Sequence, residues 1–431
     1  MDDRTKVIPT ETVPAAASPS APPSAPMGTR PPGMTAAQAR RRRHFPTVHY
    51  LRLAAQRRIP QFGFEATDGG AGTDGGIRRN AAALDAIELV PRYGIDNGTC
   101  AMEVELFGKR YAAPIGIAPM GLPGIVWPGA EKYMAAAARK ARIPYTAGTV
   151  ASTAVEDLAR IAEDMLWFQL YRMPQRDHAD GFDLVRRAQS AGAQALVITM
   201  DVPIRTKRPR EVRQGLVLPF KMQAHTVWDV LTHPAWLMAY REHGLARFAN
   251  YRPYVADPTP QNLAAYSNKD HAGGGAFSWE EVARYRDVWK GPLIAKGIQH
   301  PKDAEKAVSL GCDGIQVSNH GGRQVEALPA PIDVLPAIVS AVGKRATIIY
   351  DSGVRSGLDV VRALALGANA AFAGKAFLYG LGAIGGDGPA YVIDLLKEEI
   401  RDALRQCGVN SVADAPGIEL RHPGRWTFAA G

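Results

Sequence analysis

The chain has 431 residues, 46% of them hydrophobic and 22% charged, an ordinary globular balance with ample material for a core. No run approaches eighteen apolar residues without charge, which argues against a spanning helix; the three separated cysteines, Cys100, Cys312 and Cys407, form no CxxC pair and exclude a disulfide scaffold or a cysteine zinc site. Lys plus Arg outnumber Asp plus Glu by 51 to 42, and the formal charge of +9 favours acidic ligands or anionic surfaces without choosing among them.

Residues 1–44 contain no aromatic side chain and are rich in Pro, Ala, Ser and Thr. Such a segment buries too little surface to offset its ordering entropy, so it is read as a disordered tail. It ends in Arg40–Arg43; with no base-stacking aromatics nearby, this run is read as a solvated junction and no nucleic-acid partner is expected. The foldable part is residues 45–431. It opens with a helix-like stretch (Tyr50–Arg58), a glycine-rich loop (Gly69–Gly76) and a polar, partly alternating segment. Eight short apolar runs then alternate with helical ones. The predicted strands are Pro114–Ala118, Tyr145–Thr149, Met165–Tyr171, Ala195–Asp201, Pro292–Gly297, Gly314–Asn319, Ala346–Asp351 and Asn369–Gly374. The predicted helices are Ala130–Ala141, Val155–Glu163, Phe182–Ala191, Trp279–Trp289, Asp303–Leu310, Ile332–Val342, Leu358–Leu366 and Tyr391–Gln406. Eight βα units with near-continuous apolar strands predict an α/β fold, a (β/α)8 TIM barrel. The spacing breaks once, at residues 202–277 after strand four, too long for an ordinary βα loop and read as a lid, a partner surface or a membrane-contacting insertion.

Polar residues gather where the strands end, the face on which a barrel carries its chemistry. They are Gln169 and Tyr171, Thr199 and Asp201, Lys296, Ser318 and His320, Asp351, and Gly374-Lys375. A buried lysine such as Lys296 calls for an anion. Gly353/Arg355 with Gly374/Lys375 match the usual barrel phosphate site, although glycine pairs alone are ordinary tight turns. A lone histidine is more often a satisfied core or surface residue. His320, however, ends a strand beside two glycines with Arg323 three residues on, so it can act as a base while Arg323 clamps a carboxylate and Asp201 orients the ring.

These residues carry a resemblance. Ser-Asn-His-Gly-Gly-Arg-Gln at 318–324, with Gln-Leu-Tyr at 169–171, Thr-Met-Asp-Val-Pro at 199–203, Ala-Lys-Gly at 295–297 and Asp-Ser-Gly-Val-Arg at 351–355, resembles the FMN-dependent α-hydroxy acid oxidase and dehydrogenase family, from about Val48 to Val412. The resemblance implies FMN as cofactor and oxidation of an L-2-hydroxy acid to the 2-oxo acid. His320 would be the base with Asp201 as its partner, Arg208 and Arg323 would bind the substrate carboxylate, and Tyr171 would hydrogen-bond the substrate. Lys296 would stabilise the reduced flavin. Pro119, Met120 and Gly121 would line the flavin through their backbone, and Gln169, Thr199 and Ser318 would hydrogen-bond its ring or ribityl chain. Asp351, Gly353, Arg355, Gly374 and Lys375 would hold its phosphate. No metal is expected.

The chain departs from the family pattern at several places. Ala66 stands where a tyrosine is usual, Gly148 replaces a Ser or Thr beside the flavin with Thr149 as a substitute, Lys375 replaces an arginine, and Pro209-Arg210-Glu211 follows Arg208 where Arg-Glu-x-Asp is common. Ala66 predicts a wider pocket. Gly121 stands at a small-residue position where glycine tends to mark dehydrogenases, so electrons are expected to pass to quinone or another carrier. The insertion mixes Leu216–Phe220, Trp228 and Trp236 with Lys221, His225 and His233, which suits either a lid or a peripheral contact with an anionic membrane. The resemblance further implies a homo-oligomer in the cytoplasm or on the inner face of a membrane. Rival readings are a same-fold oxidase using oxygen, a flavoenzyme acting on a larger amine or peptide-derived substrate, another FMN barrel of the isopentenyl diphosphate isomerase kind, and a non-enzymatic flavin-binding remnant.

Overall fold

The computed structural model describes residues 35–96, 98–204, 206–216, 224–273 and 275–428. The chain divides between His44 and Phe45 into two units. In the first, Ala36–His44 forms a helix with no buried residue, where the sequence suggested a disordered tail; Ala36, Ala37 and Ala39 have high helix propensity, and the four arginines can solvate every face. The rest of that tail, and residues 217–223 of the insertion with Lys221 among them, lie outside the described residues.

In the second unit all eight predicted strands form, in chain order: β1 Ile115–Ile117, β2 Tyr145–Gly148, β3 Leu166–Leu170, β4 Leu196–Thr199, β5 Leu293–Ile298, β6 Gly314–Val317, β7 Thr347–Asp351 and β8 Ala370–Ala373. They pair in parallel, each with its sequence neighbours, and close into a barrel through β8 and β1. The eight predicted helices form within a few residues of their expected bounds. A further helix, Lys375–Ile384, was not anticipated. Its sequence is apolar nearly all round, so it shows no amphipathic period; it is buried against Val48–Arg58, where a Cβ on Gly382 would press on the Ala55 side chain at 2.8 Å.

The barrel is stoppered at its N-terminal end. A hairpin, Val104–Leu106 with Lys109–Tyr111, sends Leu106 and Tyr111 among Trp167, Val197, Ile294, Ile349 and Phe372. Trp167 donates its indole N–H to the Tyr111 hydroxyl at 3.0 Å. The opposite end is left for chemistry.

The glycine-rich loop forms between two helices that were not anticipated, Gln61–Asp68 and Gly75–Asp85. Gly70 and Gly322 explain the intervening glycines: Ala71 N–H donates to the Gly322 carbonyl, and a Cβ on either glycine would overlap the other segment. The insertion is helical too, with Pro209–Arg213, Ala224–Leu231, Pro234–His243 and Pro260–Gly273 before the barrel helix Trp279–Val288. Asn250 bolts it to the barrel, accepting from Val155 N–H and donating to the Gly148 and Thr149 carbonyls.

Candidate active site

Strand pleating builds the floor. Trp167, Val197, Ile294 and Ile349 point into the barrel, and two residues further along each strand come Gln169, Thr199, Lys296 and Asp351. Thr199 lies in register with Lys296, and Gly148 with Gln169. This layer is internally bonded. Gln169 donates to Thr199 Oγ1 at 2.9 Å, Lys296 Nζ donates to Ser318 Oγ at 3.1 Å and lies 3.6 Å from Asp351, and Ser318 donates to Asp351. Burial works against the Lys296 charge, but Asp351 and Asp201 more than offset it and hold its pKa above the ordinary lysine value.

Above the floor stands the acid–base group. His320 Nδ1 lies 3.1 Å from Asp201 Oδ1, and its Nε2 lies 3.3 Å from the Tyr171 hydroxyl. The carboxylate holds the ring proton on Nδ1, which leaves Nε2 as the basic atom. Burial lowers the His320 pKa below the usual histidine value, with Asp201 opposing and Lys296 assisting. Burial also disfavours the Asp201 charge, yet Lys296 and His320 keep it below the ordinary carboxylate range. The Asp201 position requires a bulge in β5: the register slips between Lys296 and Ile298, and Gly297, at φ +93°, has no Cβ to fall on the Asp201 carboxylate. His320 itself sits at φ +58°, a strained backbone for a non-glycine residue at a reactive position.

Beside His320 lie the two arginines. Arg208 donates Nε to the Arg323 carbonyl at 3.2 Å, while Arg323 donates Nη1 to the Ala66 and Gly69 carbonyls at 2.8 and 2.9 Å. Between them is a residue the sequence reading mentioned only as a departure. Glu211, buried, has one oxygen 2.5 Å from Arg323 and 3.3 Å from Arg208. Burial opposes its charge, but Arg323 and Arg208 lower its pKa; burial and then Arg208 bring Arg323 down to about 10. Its signal was legible: a carboxylate three residues after Arg208 in a short helix faces it. Arg210, on the same helix, ties the N-terminal segment down through Glu65, Asp68 and Asp74.

The expected phosphate end lies where the helices Gly357–Ala365 and Lys375–Ile384 begin. Lys375 Nζ donates to the Asp68 and Gly69 carbonyls at 3.0 and 3.2 Å; burial and the nearby Arg323 lower its pKa to about 7. Arg355 pairs with Asp85 at 2.8 Å and with Asp359 at 3.5 Å.

A cavity of about 1330 Å³ connects these parts. Its wall includes Pro119, Met120, Gly121, Tyr171, Arg208, Lys296, His320, Arg323, Asp351, Gly353, Arg355, Gly374 and Lys375. Gln169, Thr199 and Ser318 are buried in the floor layer beside Lys296, with their side chains hydrogen-bonded within the protein. Thr149 is no substitute for the missing hydroxyl at Gly148, because its own donates to the Gln169 carbonyl and accepts from Tyr171 N–H. Trp236 and Trp228 part company. Trp236 is buried, lines the cavity and meets Phe62 edge to face at 5.6 Å, whereas Trp228 is 68% exposed.

A barrel with a base, its carboxylate partner, a two-arginine anion cradle and a buried lysine at the C-terminal strand ends is the layout of an oxidoreductase for small carboxylate substrates. The family model described as FMN-dependent dehydrogenase matches residues 55–420. The chain is 40% identical over 377 residues to an L-lactate dehydrogenase of Pectobacterium atrosepticum, covering 86% of this chain and 95% of that protein. It is 39% identical to one of Stenotrophomonas maltophilia, covering 84% and 95%. Among solved structures it resembles the monotopic membrane protein (S)-mandelate dehydrogenase, at 34% identity and a TM-score of 0.81 over 87% of this chain and 99% of the other. It also resembles a mandelate oxidase bound to 3,3-difluoro-2-hydroxy-3-phenylpropionic acid, at 33% identity and a TM-score of 0.72 over 88% and 99%. The chain belongs to the FMN-dependent dehydrogenase family, and it is an FMN-dependent α-hydroxy acid dehydrogenase-type enzyme.

The residues present fit FMN. The floor offers a buried cation, Lys296; two helices begin beside Lys375 and Arg355 at the cavity; and Gly353, at φ +88°, keeps the backbone close to Asn80 with no side chain in the way.

Proposed function

We propose that this enzyme oxidises an L-2-hydroxy acid with a bulky side chain to the 2-oxo acid and passes the electrons to a quinone. The His320–Asp201 pair beside two arginines is the observation that carries the reading. Arg208 and Arg323 bind the substrate carboxylate, and Glu211 keeps the two guanidiniums together. His320 Nε2 takes the substrate proton, Asp201 stabilises the resulting imidazolium, and the Tyr171 hydroxyl hydrogen-bonds the substrate oxygen. FMN, when bound, would serve as the two-electron acceptor, and Lys296 would offer its positive charge to the reduced ring. Gln169, Thr199, Ser318, Asp351, Gly353, Arg355, Gly374 and Lys375 are assigned to holding it.

No described helix is long and apolar enough to cross a membrane. A peripheral contact is supported by Val227, Trp228, Leu231, Met238 and Leu245 of the insertion, all at least 41% exposed, and by the monotopic relative. The resemblance also supports a homo-oligomer on the inner, cytoplasmic face.

Ala66 lines the cavity. An alanine at this position leaves free the space that a tyrosine ring would take. A panel of L-2-hydroxy acids is expected to give a higher kcat/KM on mandelate or medium-chain acids than on glycolate, by about 1–3 kcal/mol in transition-state binding. Ala66→Tyr should move the preference back toward small acids. Glycolate as the best substrate, with Ala66→Tyr without effect, would show that position 66 does not face the substrate.

A further inference from the structure

The cavity has two chemically different ends. Around His320 it is polar and cationic. On the side built by the insertion its lining forms an apolar arm, where Ile125 is joined by Trp236, Tyr240, Leu245, Phe248 and Leu263. The arm is a built feature rather than a slack loop. The Trp236 and Tyr240 rings lie parallel at 5.7 Å, Trp236 donates its indole N–H to the Ile125 carbonyl at 3.3 Å, and Phe248 and Leu263 are buried. Ala249 N–H donates to the Ala151 carbonyl at 2.9 Å, which fixes this wall to the loop after β2.

Its outer end marks the ligand it takes. Leu245 lines the arm and is 57% exposed. The neighbouring helices Ala224–Leu231 and Pro234–His243 expose Trp228, Leu231 and Met238, so the arm and the apolar surface of the insertion share one stretch of chain. A water-soluble acceptor gains nothing from an apolar mouth, whereas a lipid-soluble one reaches it directly from a bilayer. Arg247 and Gln261 also line the cavity and supply donors for carbonyl oxygens.

We propose that this arm is the acceptor site, holding the ring and first isoprenoid units of a membrane quinone. The inference rests on the reading of quinone as acceptor and adds where it binds. The overall reaction balances: the hydroxy acid loses two electrons and two protons to become the 2-oxo acid, and the quinone gains both pairs to become the quinol.

The test uses the holoenzyme with two acceptors, a short-tailed ubiquinone and ferricyanide. Leu245→Arg places a charge at the solvent-exposed mouth, where folding tolerates it. The KM for the ubiquinone should rise at least tenfold, while turnover with ferricyanide and the KM for the hydroxy acid stay within twofold. On the wild-type enzyme, an azido-ubiquinone should photolabel residues 236–264, and unlabelled ubiquinone rather than hydroxy acid should compete. An increase in hydroxy-acid KM in step with the ubiquinone KM would make the arm part of the substrate pocket and overturn the proposal. So would an unchanged ubiquinone KM with labelling elsewhere. A wild-type enzyme that reduces ferricyanide but not ubiquinone would instead refute the quinone reading itself.

Discussion

Replacing His320 with alanine is expected to leave a folded, yellow protein whose reduction by substrate is slower by about two to four orders of magnitude. The imidazole is the base placed in the cavity between Asp201 and Tyr171, and nothing in its contacts holds the flavin. The same geometry fixes a pH signature. Burial depresses the His320 pKa, so the ring stays neutral, and therefore basic, at pH values where an exposed histidine is already half protonated. The acid limb of kcat/KM should lie below the ordinary histidine value in the wild-type enzyme and be absent from the residual activity of His320→Ala. Stopped-flow absorbance without oxygen checks both. Near wild-type flavin reduction by His320→Ala would mean that another group takes the proton.

The second large effect is expected from Arg323→Lys. The guanidinium spans three partners, the Ala66 and Gly69 carbonyls and the Glu211 carboxylate, while facing the cavity. Lysine keeps a charge but cannot reproduce a planar fork. Loss of one charge-assisted bond to the substrate carboxylate costs about 1.5–3 kcal/mol, a fall in kcat/KM of about ten- to hundredfold. Because the carboxylate is held before and during reaction, KM should carry most of the change and kcat little. Initial rates across substrate concentration read the split. A kcat/KM within twofold of wild type would remove Arg323 from the carboxylate site.

What could be read before the structure follows from periodicity. Strands such as Pro292-Leu293-Ile294-Ala295-Lys296 announce themselves because apolar residues stop where the cavity begins, and the last inward position must be polar. The acid–base residues are legible for the same reason, each ending a strand. Two kinds of feature were hidden. Helix Lys375–Ile384 lacks a polar face because it is buried against Val48–Arg58, and the helices on either side of the 69–76 loop went unnoticed because its glycines answer to a distant partner, Gly322, rather than to local turns. The finer roles of polar groups were also hidden. Gln169, Thr199 and Ser318 sit at the expected strand ends, and only three-dimensional register reveals the bonds that link them to polar residues on adjacent strands. Glu211 is the converse, a departure in the motif that proves to join both arginines.

The central claim is that His320, Asp201, Arg208 and Arg323 form a working site for 2-hydroxy acid oxidation. Anaerobic mixing of the FMN-loaded enzyme with a panel of L-2-hydroxy acids tests it most directly. At least one acid should bleach the flavin absorbance completely and yield one 2-oxo acid per flavin, with the D-enantiomer inert. Fully loaded enzyme whose spectrum no L-2-hydroxy acid changes would contradict the account.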